Sequence, residues 1–185
     1  WKKLVKNGWS VDFVGSQIDP KSYALVDNEE FDPHHEGHSG YTSGQLLDEL
    51  DDWMAGVDTP DIVLFSSPGG NDALDLLPYD DAVDNIVAIV QKLQVYNPNV
   101  TVVIEKMAPG NAIAMLVLDD YYTRIQSDMD SLVNYLNTPT SNVVSIDMAT
   151  GFDADLLADP VHYNQQGASF ISARYYDLLI TLIQP

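Results

Sequence analysis

The chain has 185 residues, 45% of them hydrophobic, enough for one globular domain with a sizeable core, and no apolar run is long enough to span a bilayer. Its 28 acidic and 8 basic residues give a formal charge of −20, a field that repels phosphate backbones and anionic surfaces and argues against nucleic-acid and membrane partners. The absence of cysteine excludes disulfides, thiolate metal sites and cysteine nucleophiles, and leaves the compartment open.

The opening residues Trp1 to Asn7 contain no apolar h-region and no initiator methionine, so the chain reads as a processed or trimmed product rather than one led by a signal peptide. Val11-Asp12-Phe13-Val14-Gly15 predicts a strand, followed by a long polar loop through residue 41. Thr42 with Gln45 forms a capping-box start for a helix carrying Leu46, Leu47, Leu50, Trp53 and Met54 on one face. Within it, Asp48-Glu49-Leu50-Asp51-Asp52 lacks the spacing of a calcium loop and reads as the solvated side. Ile62-Val63-Leu64-Phe65 is continuously apolar, as a buried parallel strand is. After Pro78, Asp80 or Asp81 is placed to cap a helix with Val83, Ile86, Val87, Val90 and Leu93 as its stripe. Val100 to Ile104 is the next strand. A long helix, Leu116 to Leu136, carries Leu118, Tyr122, Ile125, Met129, Leu132 and Leu136 at helical spacing. Val143 to Ile146 is a last short strand, and Gln165 to Ile183 a closing helix.

This strand–helix alternation argues for a parallel sheet covered by helices on both faces, with ligands expected beyond the carboxyl ends of the strands. Three polar segments fall on loops that reach that edge. They are His34 to Thr42, Gly69-Gly70-Asn71-Asp72, and Asp159-Pro160-Val161-His162. An aspartate three residues before a histidine suits a base whose tautomer is fixed by its own carboxylate. Taken singly, each segment also has an ordinary reading: Gly40 as a loop glycine of positive φ, Asn71 as a polar turn, and Asp159 and His162 as solvated surface residues.

Together and in this order, the segments resemble the SGNH (GDSL-type) hydrolase superfamily of esterases and lipases. Residues 11–17 (Val-Asp-Phe-Val-Gly-Ser-Gln) and 35–42 (His-Glu-Gly-His-Ser-Gly-Tyr-Thr) look like the branch of family-three carbohydrate esterases, which remove acetyl groups from xylan-type polysaccharides. The resemblance implies a flavodoxin-like three-layer α/β/α fold with a parallel sheet in the order 2-1-3-4-5. It implies His162 as general base, Asp159 as its orienter, and Gly40 and Asn71 as oxyanion donors. It implies no cofactor, a carbohydrate or small-molecule ester as substrate, and a setting compatible with secretion. His34, His35 and His38 could suggest zinc, but no regular element fixes a ligand geometry among them, so no metal is expected and they are read as shaping the loop.

The Gly-Asp-Ser block that supplies the family's nucleophile has no counterpart in the sequence. The chain, residues 1–185, is therefore expected to be a single SGNH-hydrolase-like domain, truncated at its N-terminus, with the serine upstream of Trp1. Ser39 lies one residue short of a nucleophile-elbow pattern and follows no strand; Ser66 and Ser67 stand where the family has no nucleophile; Ser16 ends the second strand. Without the central first strand, two strands would carry unpaired backbone groups. Three arrangements are open: a fragment of a longer parent, a strand rearranged or borrowed within a strand-exchanged homo-oligomer, or a degenerate hydrolase that binds carbohydrate or ester without turnover. A flavodoxin-like binding domain unrelated to hydrolases is disfavoured, because no Gly-rich phosphate loop follows the Val11 strand.

Overall fold

The computed structural model describes residues 1–183. A short helix α1 (Lys2–Lys6) opens the chain and buries Leu4 and Val5. A two-residue antiparallel ladder joins β1 (Gln17–Ile18) to β2 (His34–His35), so the polar stretch before residue 41 is a small hairpin rather than a plain loop. There follow α2 (Ser43–Gly56), β3 (Ile62–Phe65), α3 (Gly70–Leu74), α4 (Tyr79–Tyr96), β4 (Thr101–Lys106), α5 (Ala112–Leu136), β5 (Asn142–Asp147) and α6 (Gln165–Leu182). Strands β3, β4 and β5 form a parallel sheet in that order, with β4 central.

The sheet is covered on both faces, giving the three-layer α/β/α arrangement. On one face Val102, Ile104 and Val143 pack with Leu50 of α2, Ile86, Val90 and Leu93 of α4, and Ile125, Met129 and Leu136 of α5. On the other, Val103, Ile146 and Met148 pack with Ile171, Tyr175 and Leu178 of α6. Each fully buried aliphatic side chain contributes about 1.5–3 kcal/mol of transfer free energy. The apolar stripes read from the sequence are the ones that form this core. The interior residues of β4 are buried throughout, and their side chains alternate between the two faces, Val102 and Ile104 on one and Val103 on the other, as the two-residue period of a strand requires.

Helix α2 starts as its sequence requires. The Gln45 amide donates to Thr42 Oγ1 and the Thr42 amide donates to Gln45 Oε1, closing a reciprocal capping box. The acidic residues Asp48, Glu49, Asp51 and Asp52 lie on its solvated side, where Asp51 accepts from Lys92 Nζ at 2.7 Å. Helix α4 departs from expectation: neither Asp80 nor Asp81 caps it. Pro78, with φ −59° and ψ 132°, delivers the chain straight into the helix at Tyr79, which puts both aspartates inside the first turn. There they complement the helix dipole without capping, and Asp80 pairs with Arg124 at 2.8 Å.

The larger correction concerns Val11–Gly15, which forms no strand. A strand exists only through a partner's hydrogen bonds, and among the described residues nothing pairs with this segment; the Phe13 amide donates instead to the Asp32 carboxylate. The outer edge of β3 likewise pairs with no strand among the described residues, leaving Leu64 40% exposed.

Candidate active site

The turn after β3 carries the first set of polar groups. Ser67 adopts a left-handed conformation (φ 46°), and its carbonyl accepts from the Gly70 amide at 3.0 Å. Gly69 continues the turn at φ 72°; a Cβ there would lie 1.6 Å from the Tyr121 hydroxyl, so only glycine fits. The chain then enters α3, which presents Asn71. Asn71 Nδ2 donates to the Tyr41 carbonyl at 2.8 Å, joining this turn directly to the Gly40 loop. Next to it, the buried Asp72 carboxylate accepts from both the Ser43 amide (2.8 Å) and the Ser43 hydroxyl (2.6 Å), and Asn85 Nδ2 donates to Ser43 Oγ at 3.1 Å. The start of α2 and the start of α3 are thereby clamped together.

Gly40 sits at φ 79° with open space where a Cβ would be, and its amide donates to no acceptor among the described residues. The preceding histidines are occupied locally. His34 Nδ1 meets Asp32 at 3.0 Å, and His35 Nδ1 accepts from the Gly37 amide at 3.1 Å. His38 Nε2 meets Glu36 at 2.6 Å, and its ring stacks on Trp53 with centroids 3.9 Å apart. Glu36 also accepts from the Ser16 amide and hydroxyl, at 2.7 and 2.6 Å. Among the described residues no cluster of three histidine or acidic side chains is arranged to hold a metal ion.

The second set lies after β5. Asp159 Oδ1 accepts from the amides of Val161 (3.0 Å) and His162 (2.8 Å), while Asp159 Oδ2 pairs with His162 Nδ1 at 2.8 Å. These bonds, the His162 amide first, hold the Asp159 carboxyl down at about 2. In the neutral ring, Nδ1–H donated to the carboxylate leaves the lone pair on Nε2, which has no partner among the described residues, and the side chain is 76% exposed. The loop is seated by the Asn111 amide donating to the Pro160 carbonyl at 2.8 Å. At its end Asn164 caps α6 by accepting from the Gln166 and Gly167 amides. Gly167 is obligatory there, since a Cβ would lie 2.2 Å from the Leu156 carbonyl oxygen.

The structure thus bonds Asn71, after β3, to the Tyr41 carbonyl beside Gly40 on the loop before α2, and Asp159 to His162 on the loop after β5. Of the serines weighed as substitutes, Ser16 is committed to Glu36 and Ser67 is held in the strained turn. Sequence reasoning did not find the Ser43–Asp72 clamp or the role of Glu105, a β4 carboxylate only 2% exposed that accepts from the Ser67 amide at 2.8 Å and the Tyr175 hydroxyl at 2.7 Å. A charged residue inside an otherwise apolar strand was the available signal for Glu105. Ser43, beside a capping threonine, gave none.

No protein-family model matches the sequence, and no curated protein does. Among solved structures, the chain is similar to a carbohydrate esterase of family 3 from Talaromyces cellulolyticus, at 30% identity and a TM-score of 0.86 over 99% of this chain and 88% of that one. An acetyl esterase mutant crystallised with acetate ion gives the same identity, TM-score and coverage. A family 3 carbohydrate esterase from Clostridium thermocellum shares the fold, with a TM-score of 0.76 and 24% identity over 99% of this chain and 86% of that one. With the identity spread over nearly the whole chain and most of its relative, the protein belongs to carbohydrate esterase family 3.

Proposed function

We propose that residues 1–185 are one domain of an esterase acting on carbohydrate O-acetyl groups or small acyl esters, and that they supply its base and oxyanion donors. The observation that carries this reading is the Asp159–His162 pair, with Nδ1 held by the carboxylate and Nε2 left free. His162 Nε2 takes the proton of a serine hydroxyl as its oxygen bonds to the ester carbonyl carbon, and returns that proton to the departing alcohol. A water molecule then attacks the acyl-enzyme with the same base, releasing the acid and the free serine. Asp159, ionised at any pH above its low pKa, fixes the imidazole tautomer and stabilises the imidazolium.

Gly40 and Asn71 serve as the oxyanion donors. The Asn71 amide has two N–H groups, and only one is used on Tyr41, so the second remains to meet developing charge. The unpaired Gly40 amide provides the other donor. Each such preorganised donor lowers the barrier by about 3 kcal/mol. The nucleophilic serine, on this reading, lies in a segment preceding Trp1 whose strand pairs with the open edge of β3. That assignment rests on the family's Gly-Asp-Ser block. The catalytic chemistry needs no cofactor.

Hydrolysis of p-nitrophenyl acetate by four proteins tests the proposal: this chain and a form extended at the N-terminus to include the serine block, each with and without His162→Ala. Activity confined to the extended form, and lost from it on His162→Ala, is the expected result. Turnover by the short chain that His162→Ala abolishes would move the nucleophile to Ser39, Ser66, Ser67 or an activated water. Silence from both forms would overturn the esterase reading in favour of a non-catalytic carbohydrate- or ester-binding protein.

A further inference from the structure

Glu105 is one of two buried acidic groups among the described residues, with Asp72, that the reaction above does not use. It occupies the central strand β4, on the face covered by α6, at 2% exposure. Isolated there, a carboxylate would be strongly disfavoured, and two donors meet it instead. One is the Ser67 amide at 2.8 Å; the other is the Tyr175 hydroxyl at 2.7 Å. The two donors belong to opposite halves of the candidate site. Ser67 begins the left-handed turn that runs through Gly69 into Asn71. Tyr175 belongs to α6, whose first turn is capped by Asn164, two residues after His162.

Tyr163, the residue following His162, is 36% exposed, and desolvation of its hydroxyl, with the Glu105 charge as the smaller cause, pushes its pKa up. Desolvation pushes the Glu105 carboxyl up, while the bonds from Tyr175 and Ser67 pull it back. The Ser67 conformation explains why such a group is needed. A non-glycine residue at φ 46° persists only where its surroundings hold it, and the bond from its amide to Glu105 is one of the two that do so; the other is the Gly70 amide on its carbonyl.

We propose that Glu105 is a positioning residue that sets the oxyanion donor Asn71 against the base His162, by bonding the turn before Asn71 and the helix after His162 to a single buried carboxylate. The proposal rests on the esterase reading and deepens it. Glu105 touches no substrate. Its effect passes through Asn71, and a merely structural role would not produce that dependence.

The test is a kinetic double-mutant cycle in the N-terminally extended protein with p-nitrophenyl acetate as substrate. Glu105→Gln keeps the volume and one acceptor oxygen, but turns an N–H group toward one of two donors. It is expected to lower kcat at least tenfold with KM changed less than twofold. Asn71→Ala, about 100-fold slower than the wild type in the native background, should cost at most tenfold when Glu105 is already Gln. Tyr175→Phe, which removes one donor and leaves Ser67 held, should show the same kinetic split to a smaller extent. Multiplicative losses from Glu105→Gln and Asn71→Ala, or a raised KM with unchanged kcat, would overturn the proposal.

Amide hydrogen exchange separates this from failure of the esterase reading itself. Glu105→Gln should speed exchange at Ser67 and at the first amides after His162 together, at least tenfold, while the β4–β5 amides stay protected. If the wild-type extended protein proves inactive, unchanged exchange at both places would still refute the coupling. Should Glu105→Gln fail to fold, Tyr175→Phe carries both measurements.

Discussion

Replacing Asp72 by alanine tests whether the clamp between α2 and α3 is energetically real. Asp72 is 2% exposed and Ser43 1%, so water does not reach the bonds between them. Asp72→Ala removes the acceptor of the Ser43 amide at 2.8 Å and of the Ser43 hydroxyl at 2.6 Å. Hydrogen bonds to a charged acceptor contribute about 1.5–3 kcal/mol each, and water entering the vacated volume recovers part of that, giving an expected loss of about 3–5 kcal/mol. Ser43→Ala loses the hydroxyl bond to Asp72 and the acceptor of Asn85 Nδ2, keeps the Ser43 amide bond, and should cost about 1.5–3 kcal/mol. The double variant should be less destabilised than the sum by about 1–2 kcal/mol, since the hydroxyl left unpaired in Asp72→Ala is absent from it. Urea denaturation is the assay; Trp53 on α2 reports by fluorescence, and the slope m should stay unchanged so that midpoints convert to free energies. A loss below about 1 kcal/mol for Asp72→Ala at unchanged m, or strict additivity of the pair, would refute the reasoning.

The remaining predictions concern the two halves of the candidate site. Asn71→Ala should reduce kcat of the N-terminally extended protein about 100-fold, with the loss read in kcat rather than KM. Gly167→Ala, whose Cβ would meet the Leu156 carbonyl, should lower stability by about 1–3 kcal/mol in urea and reduce activity by moving the His162 loop. Gly40→Ala, facing open space, should cost only about 1 kcal/mol of left-handed strain. The folded-state pKa of Asp159 lies below its ordinary value of 3.8, so its bonds to His162 favour the folded state above that value, and the benefit is lost as the pH falls toward about 2. A carboxyl titration by NMR should give that midpoint, and an Asp159 midpoint near 4 would contradict the geometry. The short chain, with the outer edge of β3 open, should self-associate on a sizing column more than the N-terminally extended form does.

The site was more legible in the sequence than the sheet was. Asp159 and His162 are three residues apart, so their pairing is a local turn that the chain forms with its own amides. The capping box at Thr42 and Gln45 is equally local, and so are the apolar stripes that became the core. Val11–Gly15 shows the limit of such reading. Its alternating, β-branched composition suits a strand, but a strand is a relation between segments, and among the described residues this one has no partner. The helix start at Tyr79 shows the same limit more mildly: two good capping residues were present, and the conformation at Pro78 decided which residue came first.

By itself, then, the sequence determined the longer helices, the three parallel strands, the four candidate site residues and the family they resemble, because each is encoded in patterns spanning a few residues. The continuously apolar Ile62–Phe65 predicts burial, whereas β3 is a half-exposed edge strand. The tertiary structure alone decided which buried polar groups hold those elements in place. Asp72 finds Ser43 across 29 residues, Ser67 finds Glu105 across 38, and Tyr175 finds Glu105 across 70. No local pattern encodes such partners. A carboxylate taken out of water must be met by donors, and which donors arrive depends on how the strands order and the helices pack.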